Sequence, residues 1–264
     1  MTLPEAAEIE QALSAKWREF MDGLDLFAEI GSTNSYLLDA SPPAPGRFRV
    51  ALADFQSAGR GRMERRWQAP PGTGLCLSIA YSFEEMPQQV SALTLAVGQA
   101  LIDGVVQLGY SGITLKWPND LMANDAKLGG ILTELRTTGG ATVVVGLGLN
   151  VDFAATGNAL PGNAIDLYSL DARPIDKTML IATVIESLAD CIAAFERSGF
   201  GAWFERWSEF DWLKDRAVHV DTGESEFDGV AAGIDRDGAL LVAVGDRAQR
   251  VISGSVTSVT GPNS

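Results

Sequence analysis

Apolar positions recur every three or four residues between Pro87 and Leu108: Val90, Leu93, Val97, Leu101, Val105 and Leu108. That spacing sets them on one face and predicts an amphipathic helix. The same period in Leu180, Ile181, Val184, Ile185, Leu188, Ile192 and Phe195 predicts a long helix over 177–197. Residues 203–210 (WFERWSEF) predict another, and Leu13, Trp17 and Phe20 share a face of a short helix within 1–22. Apolar runs or alternation of strand length predict strands at 25–30, 47–54 and 75–83, one within 113–120 that runs into a Pro-Asn-Asp turn, and strands at 127–136 and 142–151. Thr138-Gly139-Gly140 predicts a hairpin joining the last two. Ser32, Thr33 or Asn34 can cap a helix carrying Tyr36, Leu37 and Leu38. The prolines and glycines of 41–46 and 56–74 predict loops. After Asp215 the texture changes to short strands split by Gly and Asp, which predicts a small all-β barrel. The expected division is therefore 1–214 and 215–264, with no internal repeat.

Composition narrows the function classes. With 20 Lys and Arg against 34 Asp and Glu, the net charge is −14, a poor basis for gripping duplex DNA over a broad face. Cys76 and Cys191 are far apart and His219 is the single histidine, so neither a disulfide framework nor a two-histidine metal site is expected. His219 lies in a valine-rich strand (AVHVD), where a structural role is expected. The acidic start MTLPEAAEIEQ has no signal-peptide character, and a soluble cytoplasmic protein without membrane partners is expected.

Four stretches could carry chemistry. Gly59-Arg60-Gly61-Arg62-Met63-Glu64-Arg65-Arg66-Trp67 is locally basic. Its glycines let backbone approach an anion, its arginines offer forked donors, and Trp67 offers a face to a base. A solvated basic loop or an RNA-contacting segment would look the same. Lys116-Trp117-Pro118-Asn119-Asp120 delivers a lysine and then an Asn-Asp pair at a turn, which can also be a turn capping itself. Lys127-Leu128-Gly129-Gly130 sets a lysine and two glycines in an apolar strand, suiting close approach of a ligand or an edge position. Gly146-Leu147-Gly148-Leu149-Asn150 suits a ligand cradle or a bulge and turn.

Taken together with Ser32-Thr33-Asn34 and Gln56, these stretches resemble the biotin protein ligase family from about Glu29 to the C-terminus. KWPNDLMANDAKLGGIL (116–132) is the most specific part, followed by QSAGRGR (56–62). The resemblance implies an α/β (α+β) fold. A mixed central sheet flanked by helices would form a class II synthetase-like catalytic domain, with an SH3-like barrel after it. It implies that biotin and ATP with Mg²⁺ give biotinyl-5′-adenylate, which acylates a lysine of a biotin carboxyl carrier domain. Ser32, Thr33, Asn34 and Gln56 are then the expected contacts of the biotin rings, with backbone help near Gly129 and Gly130. Arg60, Gly61 and Arg62 belong to the loop closing over biotin and phosphate, and Lys127 to the biotin carboxylate and adenylate phosphate. Asn119, Asn150, Arg62 and Trp67 are the expected nucleotide contacts. Catalytic roles fall to Lys127, Arg60, Arg62 and Asp120, and the metal ligands are left open.

The chemistry is consistent with that resemblance. A carboxylate attacking a phosphate joins two anions, which fixed cations must offset. The mixed anhydride hydrolyses if water reaches it, so a closing loop is needed. Ordering nine residues costs on the order of 10 kcal/mol of backbone entropy, so the loop is expected to stay open until contacts offset that. Asp120 as a base for the acceptor lysine would work against a gap of about 6.5 pKa units, roughly 9 kcal/mol, so an orienting role is expected. Only about 24 residues precede the first core strand, so a monofunctional ligase without an N-terminal DNA-binding domain is expected, and a homodimer is allowed. Glu64 stands where the family usually has Gly; it is expected to point outward and pair with Arg65 or Arg66. A lipoate or octanoate ligase of the same fold and a non-catalytic RNA-binding module using the RGR loop are the alternatives.

Overall fold

The computed structural model describes residues 3–63, 65–138, 140–154 and 162–259. The expectation for Glu64 therefore lies outside the described residues, as does Gly139 of the predicted hairpin. Two sheets are built. The larger has seven strands: β1 (Met21–Ile30), β2 (Phe48–Gln56), β3 (Gly74–Ser82), β4 (Ile113–Lys116), β5 (Asp120–Ala123), β6 (Ala126–Arg136) and β7 (Thr142–Asn150). Their order is β1-β2-β3-β7-β6-β5-β4; β1 and β2 run parallel and every other pair antiparallel, so the sheet is mixed.

Its two faces differ because its residues alternate in size. Phe48, Val50 and Leu52, Leu75, Leu77 and Ile79, and Val143, Val145 and Leu147 share the main core with the helices. These are α1 (Ala6–Ala12), α4 (Leu93–Gln107), α6 (Lys177–Ser198) and α7 (Gly201–Phe210), with α4 packed on α6. The opposite face carries small residues, matched strand to strand. Ala53, Cys76, Gly148 and Gly130 form one row, and Ala51, Ser78 and Gly146 the next. Among the described residues one short helix, α3 (Thr33–Asp39), covers part of that face, through Leu37 on Ala51, Ala80 and Val144. The remainder is a floor without bulk, and a cleft opens above it.

Local sequence placed most of these elements, with two corrections. The helix expected within 1–22 is two helices, α1 and α2 (Ala15–Phe20), because Leu13 and Ser14 are extended between them. Phe20, expected to share a face with Leu13 and Trp17, parts from those buried residues and ends α2 partly in solvent, since the chain turns there to pair Met21 with Phe48. The strand expected to run from 113 into a Pro-Asn-Asp turn is β4, and Trp117-Pro118-Asn119 is the turn of a hairpin in which Lys116 faces Asp120. A second tight turn follows, with Asn124 and Asp125 both left-handed (φ 47° and 57°), and it feeds β6. The register of β3 on β7 runs unbroken from Gly74–Asn150 to Ser82–Thr142, so the GLGL glycines form no bulge.

The C-terminal unit is an antiparallel sheet of β8 (Ala217–Asp221), β9 (Glu226–Ile234), β10 (Leu240–Val244), β11 (Arg247–Val251) and β12 (Ser255–Ser258), in the order β11-β10-β9-β8-β12. It is fastened to the larger sheet's hairpin by the Trp117 indole, which donates to the Gly238 carbonyl at 3.0 Å. His219 sits on β8 in contact with Asp228, away from the cleft, and that hydrogen bond raises its pKa.

Candidate active site

The cleft above the small-residue face has a volume of about 180 Å³. Its floor is Ser78, Gly130, Gly146 and Gly148, and the absence of side chains at Gly146 and Gly148 is required. A Cβ on Gly148 would lie 2.3 Å from the Trp67 ring, and one on Gly146 would lie 2.1 Å from the Asn34 carboxamide. The GLGL glycines thus let one aromatic ring and one amide lie flat on β7. Gly129 faces away; its Cβ would strike the Gly148 carbonyl oxygen at 2.7 Å, so it serves strand packing.

The first wall is the basic loop. It is a small hairpin: Gly61 N–H donates to the Arg65 carbonyl at 2.7 Å and Trp67 N–H to the Gly59 carbonyl at 3.0 Å. The loop expected to be open is therefore folded, held by its own backbone bonds and by Trp67 against β7. Arg62 is half-buried, and that burial lowers its pKa against the opposing pull of Asp120. Arg65 donates to the Ser255 hydroxyl at 2.9 Å, so the C-terminal sheet closes one end of the cleft through Gly254, Ser255 and Val256. Beneath the loop, Cys76 is buried and its thiol is pushed up to about 11 by desolvation, despite nearby Trp67 and Gln56.

The second wall is the β4–β5 hairpin. Lys127 Nζ donates to Asp120 Oδ1 at 2.6 Å across the register that sets Asp120 opposite Gly130. Lys116 reaches the cleft from β4, where burial lowers its pKa, and its ammonium lies 5.4 Å from the centre of the Trp212 ring. Asn119 donates from Nδ2 to the Ile131 carbonyl at 2.8 Å and receives the Ile131 N–H at 2.9 Å on its own carbonyl.

The third wall begins at α3. Ser32 caps that helix, its hydroxyl accepting from Ser35 N–H. Thr33 N–H donates to Gln56 Oε1 at 2.7 Å, and the Thr33 and Ser78 hydroxyls meet at 2.6 Å. Ser78 in turn donates to Asn34 Oδ1 at 2.6 Å.

Of the expected site residues, the cleft gathers Ser32, Thr33, Asn34, Gln56, Arg60, Gly61, Arg62, Trp67, Asn119, Asp120, Lys127 and Gly130. Gly129 and Asn150 are not among its lining residues. Asn150 is buried behind β6 and gives its amide to the backbone carbonyls of Lys127 (3.3 Å) and Ile165 (3.0 Å), where it fixes the strand that bears Lys127. Lining residues not assigned from sequence include Ser78, Lys116, Arg65, Arg66 and Ser255. Lys116 was legible as the first residue of KWPND; Ser78 and Ser255 carry no local signal.

Charge is the cleft's main feature. Among the described lining residues, Arg60, Arg62, Arg65, Arg66, Lys116 and Lys127 stand against a single carboxylate, Asp120. In a chain of net charge −14 that is a concentrated cationic site. Two of these cations, Arg62 and Lys116, have lowered pKa values because burial is incompletely offset by protein anions. Such a site is arranged for a ligand carrying several negative charges. Among the described residues, no three or more His, Cys, Asp and Glu side chains converge as a metal site.

Comparison with known proteins agrees with this geometry. Residues 26–152 match the biotin/lipoate A/B protein ligase family, and residues 215–257 match the biotin protein ligase C-terminal domain. A biotin--[acetyl-CoA-carboxylase] ligase of Mycobacterium tuberculosis is 31% identical over 245 residues, 91% of this chain and 89% of that protein. The bifunctional ligase/repressor BirA of Salmonella typhimurium is 35% identical over 218 residues, 81% of this chain and 67% of that one. In fold, the chain is similar to a biotin protein ligase of Aquifex aeolicus solved with biotin and ATP. The TM-score is 0.76 at 23% identity, covering 90% of this chain and all of that one.

Proposed function

The chain belongs to the biotin protein ligase family, and we infer from its cleft that it activates biotin with ATP and transfers it to a carrier lysine. The observation that carries this is six cations to one carboxylate among the described lining residues, beside a wall of hydroxyl and amide groups. A carboxylate and a triphosphate need the first; a cyclic urea needs the second.

In the first half-reaction a biotin carboxylate oxygen attacks the α-phosphorus of ATP. The bond to the β-phosphate oxygen breaks and diphosphate leaves. The protein's part is to hold two anions together and to stabilise charge on the phosphoryl oxygens. Lys127, Arg60 and Arg62 are the groups we assign to that task, with Lys116 as a further cation. Trp67 is assigned to the adenine, and Asn119, tied to Ile131 through both its side chain and its carbonyl, to shaping the nucleotide side. In the second half-reaction the carrier amine attacks the acyl carbon and AMP leaves. Asp120 accepts from Lys127 at 2.6 Å, and this supports the orienting role rather than that of a free base. Magnesium would be held chiefly by the ATP phosphates and water, with Asp120 the one carboxylate among the described residues that line the cleft.

The acceptor is the biotin-bearing carrier of a biotin-dependent carboxylase, in keeping with the carboxylase ligases the chain resembles. We further read the protein as a cytoplasmic ligase, able to dimerise, that engages neither DNA nor membrane. The family description spans biotin and lipoate, but the C-terminal match and the Thr33–Gln56–Ser78 wall favour biotin. Pyrophosphate release from Mg-ATP should depend on biotin, and a carrier domain should gain the mass of one biotin. Equal turnover with lipoate or octanoate would refute the substrate assignment.

A further inference from the structure

The wall of hydroxyl and amide groups ends in an acid that the reaction does not itself require. Glu134 lies on β6, and its two oxygens are used separately. Oε2 accepts from Asn34 Nδ2 at 2.9 Å, and Oε1 pairs with Arg60 of the basic loop. The contact joins residues a hundred positions apart in sequence on one side and seventy-four on the other.

Following protons along this chain of contacts shows what Glu134 does. An ionised carboxylate can only accept. Asn34 must therefore turn its amino group to Glu134, and the same group also reaches the Leu132 carbonyl at 3.2 Å. That leaves Asn34 Oδ1 as the acceptor toward Ser78, 2.6 Å away, so the one proton of the Ser78 hydroxyl is spent there. At the 2.6 Å contact between Ser78 and Thr33, Ser78 can then only accept, and the Thr33 proton goes to Ser78 or to Gln56 Oε1, which its hydroxyl also reaches at 3.1 Å. With its proton committed, Thr33 Oγ1 keeps its lone pairs for an outside donor. Gln56 is oriented independently: its Oε1 accepts from Thr33 N–H at 2.7 Å, which makes its other end a donor. All the intermediate groups are buried, with Ser78 fully so, Thr33 at 3% and Asn34 at 4% exposure, so water cannot readily reset the direction.

We propose that Glu134 is a positioning residue that fixes the donor–acceptor direction of the Asn34–Ser78–Thr33 relay, so that the cleft offers an acceptor at Thr33 to a ring N–H. Resting on the biotin reading, this names the group that selects a cyclic urea over an apolar ring. The same carboxylate anchors Arg60 to β6, coupling the anion-binding loop to the relay. Replacing Glu134 by glutamine makes the relay reversible. A glutamine can donate to Asn34 Oδ1, Asn34 can then donate to Ser78, and Thr33 receives a proton where substrate also brings one.

The test is titration of biotin, monitored by calorimetry, into wild type, Glu134→Gln and the double variant Glu134→Gln/Asn34→Asp, with melting temperatures as the folding control. In the double variant an acceptor-only residue at position 34 restores the original direction, while the glutamine introduced on β6 supplies the donor. The expected result is a loss of biotin affinity of tenfold or more in Glu134→Gln. ATP affinity should stay within threefold, and the double variant should recover most of the loss. Biotin affinity unchanged in a folded Glu134→Gln protein, or a double variant no better than the single one, would overturn the proposal. If the wild type itself bound no biotin, the functional reading would fail and this inference with it.

Discussion

Gly148→Ala tests the floor of the cleft with one methyl group. The added Cβ would lie 2.3, 2.6 and 2.7 Å from three atoms of the Trp67 ring. Carbon atoms rest at about 3.5–4.0 Å, so something must move by about 1.2 Å or more. The strand cannot easily yield. Gly148 is paired on one side with Cys76 and on the other with Gly130, in ladders without irregularity at that point. Trp67 is carried by a nine-residue loop hairpin and is the softer partner. We therefore expect the ring to leave the sheet while the fold survives, with overpacking costing about 1–3 kcal/mol at most. If Trp67 stacks on adenine, losing that platform costs about 1–3 kcal/mol, or roughly 5- to 150-fold in ATP affinity. The biotin wall lies one row further along, where Ser78 pairs with Gly146, and biotin KM should change by less than about threefold. The assay is pyrophosphate release with ATP and biotin varied separately, run beside Trp67→Ala and the double variant. Both substitutions remove the same platform, so the double variant should be no worse than Trp67→Ala alone. ATP KM within twofold of wild type, or equal rises for both substrates, would refute the assignment of Trp67.

Lys127→Ala should lower the rate of adenylate formation about 100-fold and leave melting nearly unchanged, because a half-exposed pair with Asp120 adds at most about 1 kcal/mol; wild-type turnover would contradict it. Lys116 has its pKa lowered by burial, so its ammonium is lost at a lower pH than that of a free lysine. Adenylation should therefore decline on the alkaline side below the usual lysine range, and Lys116→Arg should move that limb upward, as read from a pH–rate profile. Neither cysteine should react with a thiol reagent at pH 8 in the native protein, since desolvation pushes Cys76 up to about 11 and Cys191 also upward; both should react on unfolding. Gel retardation at physiological salt should show no sequence-specific DNA binding, with or without biotin and ATP.

How far the sequence could be read depended on distance along the chain. The α4 and α6 helices were legible because a 3.6-residue period survives over fifteen or more residues. The β5 strand was missed because it is four residues long, between Asn119 and a left-handed Asn124-Asp125 turn whose dipeptide was the available signal. The α1–α2 break turns on two extended residues, Leu13 and Ser14, which no apolar period reports.

At the site, residues whose chemistry is local were legible: arginines beside glycines, and lysines at the ends of strands. What could not be read was register. That Gly130, Gly148 and Cys76 share one row, and Gly146 and Ser78 the next, depends on pairings between strands β3, β6 and β7. A one-residue slip would turn every member of both rows to the helix-covered face. The same limit hid Glu134, which reads as one acid in a mostly apolar strand until the fold sets it between Asn34 and Arg60. Asn150 shows the converse: its motif was recognised, yet its amide is bound to the backbone behind Lys127, so a conspicuous polar residue supports the site without facing it. Sequence motifs thus identify which side chains can meet an anion. The direction of a buried relay, and the bare floor on which a ring can lie, are properties of paired strands.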